Sequence, residues 1–229
     1  MVKAELRRVA ASLPGIRQMR SSARYQNYRL RTRPGPEDRF TKPSEDCPYP
    51  GRWTSTDGQS TEVEVVELVA AFIRALQPDF VLETGTAFGA SAAAIGRSLV
   101  RNGQGRLVTL EVDSERVRRA RLATRRLPVE VLQIASLDYV PGAWIDFAWF
   151  DSLVKLRTLE FRRFLPYMHA GTVVGFHDSG SHYNLRDRID ALVEEGLLRT
   201  IDLPTPRGVT FGQPLHRPPR SELSPAIPS

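Results

Sequence analysis

The amino-acid sequence predicts an α/β fold. We expect a Rossmann-like, doubly wound sheet of seven mostly parallel strands that ends in an antiparallel hairpin, with a helical extension at the N-terminus. Three observations support this prediction. Short apolar runs alternate with segments of helical periodicity, as in βαβ units. A glycine turn follows the first apolar run and opens a helix of small residues. The last two runs are separated only by a short loop containing Pro and Gly, as in a hairpin.

The individual elements follow from periodicity and from turn residues. Thr61 and Glu64 have the spacing of a capping box, and apolar residues then recur at helical spacing until Pro78 ends the helix. Periodicity predicts further helices at 90–95, 114–126, 153–167 and 185–195. Strands are predicted for the apolar runs 80–82, 106–110, 129–134, 145–150, 172–176, 198–203 and 209–211.

The composition is that of an ordinary soluble protein and excludes several classes. The chain has 229 residues, of which 41% are hydrophobic and 25% are charged. The single cysteine, Cys47, excludes an internal disulfide. No uninterrupted apolar stretch approaches the ~20 residues of a membrane span, and the N-terminus lacks the apolar core of a signal peptide. We therefore expect a cytoplasmic protein with no membrane partner.

The positive charge is concentrated near the N-terminus. Residues 1–33 carry nine Lys or Arg and one Glu, an excess larger than the net charge of +6 of the whole chain. Such an arm suits an acidic surface or nucleic acid, but aromatic residues are sparse there and no nucleic-acid-binding motif accompanies it. We expect an Arg-rich helix that packs on the body of the protein or on a second copy in a homo-oligomer. Nucleic acid is not an expected partner.

The glycine turn after the first strand indicates the kind of ligand. The acid Glu83 precedes it, and the spacing of its two glycines matches neither the dinucleotide motif G-x-G-x-x-G nor a P-loop. An acid here suits a ligand with a cationic amino group better than a pyrophosphate. The pattern resembles the first motif of class I S-adenosylmethionine-dependent methyltransferases, in the E-x-G-x-x-x-G form found in O-methyltransferases. The resemblance implies that the methionine part of S-adenosylmethionine is held by Glu83, Gly85, Thr86, Gly89 and Ser91.

A second acid closes the second predicted strand. Glu111 lies about 25 residues after the glycine turn begins, as a βαβ unit requires, and a carboxylate there can accept hydrogen bonds from both hydroxyls of a ribose. The run from Leu110 into the following basic helix resembles the second motif of the same family, which implies that Glu111 binds the cofactor ribose. In that family the turn after strand three lies beside the adenine, so Ser136 and Leu137 are expected to line the cofactor site.

Acids also follow the fourth and fifth predicted strands. Asp151 follows the run 145–150 and Asp178 lies just beyond 172–176, and ligands of such sheets bind outside the carboxyl ends of the strands. This segment resembles bacterial small-molecule and sugar O-methyltransferases, including metal-dependent, catechol O-methyltransferase-like enzymes. The resemblance implies a hydroxylated small-molecule acceptor and places both acids over the methyl group, with Asp151 also against the cofactor. The two carboxylates are predicted to orient the acceptor or to bind Mg²⁺, which would lower the pKa of the acceptor oxygen.

Two features of this segment leave alternatives open. Catechol-type enzymes carry Asn or Asp after the strand-five acid and a basic residue three positions after the strand-four acid, whereas this chain has Ser179 and Val154 there. A site without metal is therefore an equal alternative. His177 is a candidate general base because its ordinary pKa of ~6.5 lies near neutrality. It can instead orient Asp178 by hydrogen bonding, and His182 in the next loop is a second candidate base.

The predicted organisation has three parts. Residues 1–60 are a basic helical arm and a Pro-rich loop, residues 61–213 are the methyltransferase domain, and residues 214–229 are a disordered tail. The Pro-rich loop is placed where it can cover the active site or mediate a dimer.

The predicted function is S-adenosylmethionine-dependent O-methylation of a hydroxyl on a small molecule, such as a secondary metabolite or a sugar. An NAD(P)-dependent oxidoreductase is one alternative, but it would need a Tyr-x-x-x-Lys or comparable pair, which the sequence lacks. A non-catalytic binding protein with the same fold is another. The acids at the four predicted strand ends (Glu83, Glu111, Asp151 and Asp178) argue against this alternative, because a scaffold does not need them.

Overall fold

The computed structural model of the protein describes residues 43–54 and 61–215. Its seven strands are β1 (Phe80–Thr84), β2 (Arg106–Glu111), β3 (Val129–Gln133), β4 (Ile145–Phe150), β5 (Met168–His177), β6 (Leu198–Leu203) and β7 (Val209–Pro214). They form one sheet in the order β3-β2-β1-β4-β5-β7-β6. The first five strands run parallel, whereas β7 is antiparallel to both β5 and β6. The predicted fold class is confirmed.

Helices cover both faces of the sheet. They are α1 (Val63–Leu76), α2 (Ala90–Asn102), α3 (Ser114–Thr124), α4 (Arg157–Phe164) and α5 (Leu185–Glu194). Alternate residues of the central strands point to opposite faces. Phe80 and Leu82 therefore pack with the aromatic residues of α4 and the apolar residues of α5. Val81 packs with α1 and α2 on the other face, where α3 also packs against β3.

The strand order reverses between β1 and β4, and this reversal positions the ligand site. From β1 the chain proceeds outward through β2 and β3, and it then returns to place β4 on the other side of β1. The connections after β1 and β4 consequently leave the sheet in opposite directions and open a crevice at the carboxyl ends of the strands. Three of the four predicted acids, Glu111, Asp151 and Asp178, lie at this edge.

The start of α1 differs from the prediction. The N-cap residue is Glu62, and no side chain caps the helix, so the predicted capping box is wrong. The hydroxyl of Thr61 instead donates to Asp151 Oδ2 at 2.7 Å, and Glu64 accepts a hydrogen bond from the backbone N–H of Thr54 at 2.9 Å. Long-range contacts take both side chains away from the local pairing that their spacing suggested.

The segment 43–54 packs on the domain instead of extending away from it. The backbone N–H of Ser44 donates to the carbonyl of Pro206 at 2.6 Å, and the Ser44 hydroxyl accepts from the N–H of Ser181 at 2.8 Å. Trp53 joins the core beside α1. The rest of the predicted arm and nearly all of the predicted tail lie outside the described residues.

Across 43–54 and 61–215, none of the helices combines the length and apolar character needed to cross a membrane.

Candidate active site

A cavity of about 500 Å³ opens at the carboxyl ends of the central strands. Its walls come from the turn after β1, the end of β2, the turn after β3, the loop between β4 and α4, and the loops after β5 and β6. The predicted catalytic residue Asp178 lines the cavity. So do five of the residues predicted to bind the cofactor: Gly85, Glu111, Ser136, Leu137 and Asp151. The volume falls within the ~300–1,000 Å³ typical of small-molecule sites.

Gly85 lines this cavity, and only glycine fits at its position. Its φ is +83°, in the left-handed region, and a Cβ at this position would lie 2.3 Å from the backbone oxygen of Asp151. The turn after β1 therefore touches the backbone at the end of β4. This close approach joins the two strands that flank the crevice and leaves the space above them open to a ligand.

Glu83, Thr86, Gly89 and Ser91 do not line the cavity. Because β1 extends to Thr84, Glu83 is inside the strand and not at its end. Its side chain is fully buried on the α2 side, where it accepts hydrogen bonds of 2.5 Å from the hydroxyls of Ser91 and Thr109. Burial raises the pKa of Glu83 to about 7. These contacts give Glu83 a structural position between α2 and β2.

Two of these residues support the turn in other ways. The Thr86 hydroxyl shares a hydrogen bond of 2.6 Å with that of Thr109 and extends the polar cluster around Glu83. Gly89 has a φ of +81°, and a Cβ there would lie 3.1 Å from the Cα of Ala120. Gly89 therefore allows the start of α2 to pack closely on α3.

Glu111, the last residue of β2, reaches the cavity wall with its carboxylate held by the backbone. Its Oε2 accepts a hydrogen bond from the N–H of Ala87 at 2.9 Å, and its Oε1 accepts from the N–H groups of Val112 and Asp113 at 2.9 and 3.1 Å. A carboxylate oxygen can accept more than one hydrogen bond. Oε2 therefore retains capacity for a ligand hydroxyl.

The turn after β3 supplies the next part of the wall. Leu137 is partly exposed and presents an apolar surface to the cavity. The hydroxyl of Ser136 donates to Glu160 Oε1, and Oε2 of the same carboxylate accepts from Thr84 at 2.8 Å. Glu160 is fully buried on α4, so this bridge fixes the turn after β3 to β1 and α4.

Asp151 and Asp178 meet at the other end of the cavity, with Arg157 between them. Nη2 of Arg157 lies 3.1 Å from Asp151 Oδ1 and 2.8 Å from Asp178 Oδ2. The same guanidinium donates to the backbone carbonyls of Ser152 and His177. Arg157 is the first residue of α4, so the start of this helix delivers a positive charge to the ends of β4 and β5.

Asp178 is held in a strained backbone conformation by a second arginine. Its φ is +55°, an unfavourable value for a residue with a side chain, although Asp tolerates it better than most residues. Nε of Arg207, from the loop between β6 and β7, donates to Asp178 Oδ1 at 2.6 Å. Burial alone would raise the pKa of Asp178, but His177, Arg157 and Arg207 together hold it well below its ordinary value.

His177 is fully buried with carboxylates on both ring nitrogens. Nδ1 lies 2.9 Å from Asp151 Oδ1, and Nε2 lies 2.6 Å from Glu62 Oε2. Burial would lower the pKa of His177, but the negative charges of Asp178, Asp151 and Glu62 raise it to about 10. The ring is therefore an imidazolium at neutral pH, and it has no free nitrogen to accept a proton. The hydrogen-bond partners of the ring are Asp151 and Glu62, whereas the predicted partner Asp178 lies 3.6 Å from Nδ1. The part of His177 in catalysis stays a prediction.

Glu62, at the start of α1, is the third carboxylate of the charged cluster around His177. Its Oε1 accepts hydrogen bonds of 2.9 Å from the Thr205 hydroxyl and from the backbone N–H of Arg207. Burial favours protonation of this carboxyl, but the charge of His177 keeps the pKa of Glu62 below its ordinary value. The cluster thus contains three carboxylates and three cations within hydrogen-bond distance of one another.

These residues do not fit Mg²⁺. Ligand atoms of Asp151, His177 and Asp178 lie within 4.8 Å of one another, so the spacing of the predicted metal site is present. However, each of the four carboxylate oxygens already accepts a hydrogen bond from Thr61, His177, Arg157 or Arg207. A divalent cation shared by the two carboxylates would need the space between them, and the Arg157 guanidinium lies there, 3.1 Å from Asp151 Oδ1 and 2.8 Å from Asp178 Oδ2.

Sequence reasoning missed five residues of the site: Thr61, Glu62, Arg157, Tyr183 and Arg207. Three of them line the cavity, and Thr61 and Glu62 support Asp151 and His177. Arg157 carried the only available signal, because it stands near the predicted start of the helix that follows Asp151. His182 is exposed, and its ring is tilted by 43° against the Tyr183 ring at a centroid distance of 4.0 Å. It is the neighbouring Tyr183 that faces the cavity.

Comparison with known proteins identifies the domain. Residues 82–179 match a family model described as a methyltransferase domain. None of the curated proteins compared with the chain matches it.

Solved structures share the fold. An O-methyltransferase from Bacillus cereus in complex with SAH is 15% identical with a TM-score of 0.62, over 93% of this chain and 100% of that one. SAH-bound methyltransferase PaMTH1 from Podospora anserina is 17% identical with a TM-score of 0.60, over 69% and 81%. The O-methyltransferase TomG from Streptomyces achromogenes, involved in tomaymycin synthesis and solved with SAM, is 19% identical with a TM-score of 0.59, over 69% and 82%.

The matched segment runs from within β1 to just beyond Asp178 and so contains five of the strand ends that form the cavity. The family match and the shared fold support the predicted resemblance: residues 82–179 are similar to a methyltransferase domain, and the structure has the fold of methyltransferases solved with SAM or SAH.

Proposed function

We propose that the protein transfers the methyl group of S-adenosylmethionine to a hydroxyl oxygen of a small molecule. The observation that supports this most is the continuity of the cavity. One open space runs from Glu111 past Gly85 to Asp151 and Asp178. It therefore offers a place for a nucleoside at one end and for a second molecule at the other, with the strand-four acid between them.

The cofactor half of the cavity has the groups that a sulfonium nucleoside requires. The Glu111 carboxylate is fixed by three backbone N–H groups and has capacity left on Oε2 for the ribose hydroxyls. Val112 and Leu137 are exposed apolar side chains on the cavity wall and suit the faces of an adenine. Gly85 leaves room for the methionine part, and the backbone carbonyl of Asp151 next to it can accept a hydrogen bond from a cationic amino group.

The acceptor half is polar at its base and apolar at its rim. Asp178, Tyr183 and Arg207 lie at the base, whereas Leu153 and Val154 provide the rim. Such a mixture suits a hydroxylated molecule with an apolar portion. Methyl transfer to its hydroxyl forms a C–O bond, breaks the C–S bond and releases one proton.

Asp151 is the group proposed to orient the acceptor hydroxyl. Its carboxylate is 14% exposed, more than that of Asp178 at 4%, and it lies between the two halves of the cavity. His177 is proposed as a positioning residue that holds Asp151 by a hydrogen bond of 2.9 Å. Much of the acceleration then comes from holding the methyl group and the acceptor oxygen in line.

Calorimetric titration with S-adenosylmethionine and S-adenosylhomocysteine tests the proposal, with NAD as the control for an oxidoreductase. We expect binding of both sulfur ligands and none of NAD. In Glu111→Ala the affinity for both should fall by roughly tenfold or more, because a hydrogen bond from a ligand to a charged group contributes about 1.5–3 kcal/mol. Glu130→Ala, which removes an exposed carboxylate from the neighbouring strand β3, should leave the affinity unchanged.

Activity is then measured by transfer of a labelled methyl group to a panel of phenolic, sugar and aliphatic hydroxyl compounds. Absence of binding by either sulfur ligand, or binding of NAD alone, would contradict the proposed cofactor. Cofactor binding combined with methylation of nitrogen compounds only would contradict the proposed acceptor.

A further inference from the structure

The end of the cavity next to Asp151 and Asp178 has the carboxylate arrangement of a divalent-cation site, but a protein side chain fills it. Arg157 Nη2 lies within 3.1 Å of Asp151 Oδ1 and 2.8 Å of Asp178 Oδ2. A cation that bridged the two carboxylates would need the same pair of oxygens. We propose that the Arg157 guanidinium takes the place of a metal in this enzyme and that the site works without a divalent cation.

The remaining oxygens of the pair are also satisfied. Asp151 Oδ2 accepts from Thr61 at 2.7 Å, and Asp178 Oδ1 accepts from Arg207 at 2.6 Å. With these two oxygens engaged, Asp151 Oδ1 and Asp178 Oδ2 are the pair left for a bridging cation, and Arg157 occupies it. Mg²⁺ requires near-octahedral oxygen coordination and dehydrates reluctantly, so a donor set of this kind disfavours it.

The charges of the cluster lead to the same inference. Asp151 and Asp178 supply two negative charges, and Arg157 and Arg207 supply two positive charges. The two arginines therefore already neutralise the two carboxylates. Ions in a buried site are stable only when their charges are compensated. A dication added to this cluster would leave two positive charges without partners.

Arg157 cannot easily leave its position, because the backbone also holds it. Its Nε donates to the Ser152 carbonyl at 2.9 Å, and Nη1 donates to the His177 carbonyl. Its side chain is only 3% exposed. The loop that follows β4 thus brings the start of α4 back over the sheet and fixes the guanidinium to the ends of β4 and β5. Arginine suits this position because its planar guanidinium carries several hydrogen-bond donors.

Measurement of Mn²⁺ binding tests this inference directly. Free Mn²⁺ is followed by electron paramagnetic resonance in the full-length wild-type protein and in Asp178→Asn, each with and without S-adenosylhomocysteine. We expect the two proteins to bind Mn²⁺ equally weakly, through surface acids only. Tight wild-type binding that Asp178→Asn removes would overturn the proposal. The titrations without ligand do not depend on the proposed function, so a failure of cofactor binding would be recognised separately.

Two substitutions at Arg157 provide the positive test. Arg157→Ala uncovers both carboxylates and should tighten Mn²⁺ binding by roughly tenfold or more, and the further change Asp178→Asn should reverse that gain. Arg157→Lys keeps a cation at the site and should bind Mn²⁺ as weakly as wild type. A folded Arg157→Ala variant without any gain would contradict the proposal. If that variant does not fold, the comparison of wild type with Asp178→Asn still decides.

Discussion

The buried carboxyl of Glu83 should make the stability of the protein depend on pH in a defined window. Glu83 is fully buried and accepts hydrogen bonds from the hydroxyls of Ser91 and Thr109. Burial raises its pKa from 4.5 to about 7. Between these values the folded protein keeps the proton whereas the unfolded chain releases it. The unfolded state then binds fewer protons, so the free energy of unfolding falls as the pH rises from about 4.5 to about 7.

The magnitude follows from the size of the shift. Each pKa unit corresponds to ~1.36 kcal/mol, so a shift from 4.5 to about 7 corresponds to a loss of about 3 kcal/mol across the window. Glu83→Gln replaces the carboxyl with a neutral group of similar shape and removes this titration. Relative to wild type, the variant should therefore gain about 3 kcal/mol in unfolding free energy between pH 4.5 and pH 8.

Urea denaturation of both proteins at several pH values between 4.5 and 8 provides the measurement. The difference between the two unfolding free energies isolates Glu83, because the other titrating groups are common to both proteins. Glu130→Gln is the matched control, since Glu130 is an exposed carboxyl on β3, and its difference from wild type should change by only a few tenths of a kcal/mol. A difference between wild type and Glu83→Gln that stays constant with pH would refute the reasoning.

Two further predictions concern the turn after β1 and the charge cluster. Gly103→Ala should cost about 1–2 kcal/mol of stability for its left-handed backbone alone, whereas Gly85→Ala should cost roughly 1–3 kcal/mol more because its Cβ meets the backbone after β4; equal losses in urea denaturation would contradict this contact. Glu62→Ala should destabilise the protein by about 3–5 kcal/mol by leaving the His177 cation underpaired. Glu67→Ala on the exposed face of α1 should be nearly neutral in the same assay, and similar values for the two variants would show that the buried pair contributes little.

Local sequence patterns predicted the elements of the fold well, because apolar runs and turn residues are local signals. The strands and their class of topology are confirmed, and Glu111, Asp151 and Asp178 stand at strand ends that line the cavity. Glu83 shows the limit of this reasoning. The apolar run ended at Leu82, but β1 continues to Thr84. Since side chains alternate along a strand, this extension of two residues places Glu83 in the core beside α2 and not at the edge of the sheet.

The role of His177 shows why the chemistry of the site was harder to predict than its position. A histidine between a strand and an acid is a suitable base if one ring nitrogen is free, and it is a buried cation if both nitrogens meet carboxylates. The deciding partner is Glu62, which lies 115 residues earlier in the chain. Its side chain reaches His177 only after α1 has packed on the sheet, and the same holds for Arg207, which arrives from the loop between β6 and β7. Buried charges are stable only as a compensated set, so the role of each member depends on all the others. That set is assembled by tertiary structure from four separate segments, and no local motif in this sequence encodes it.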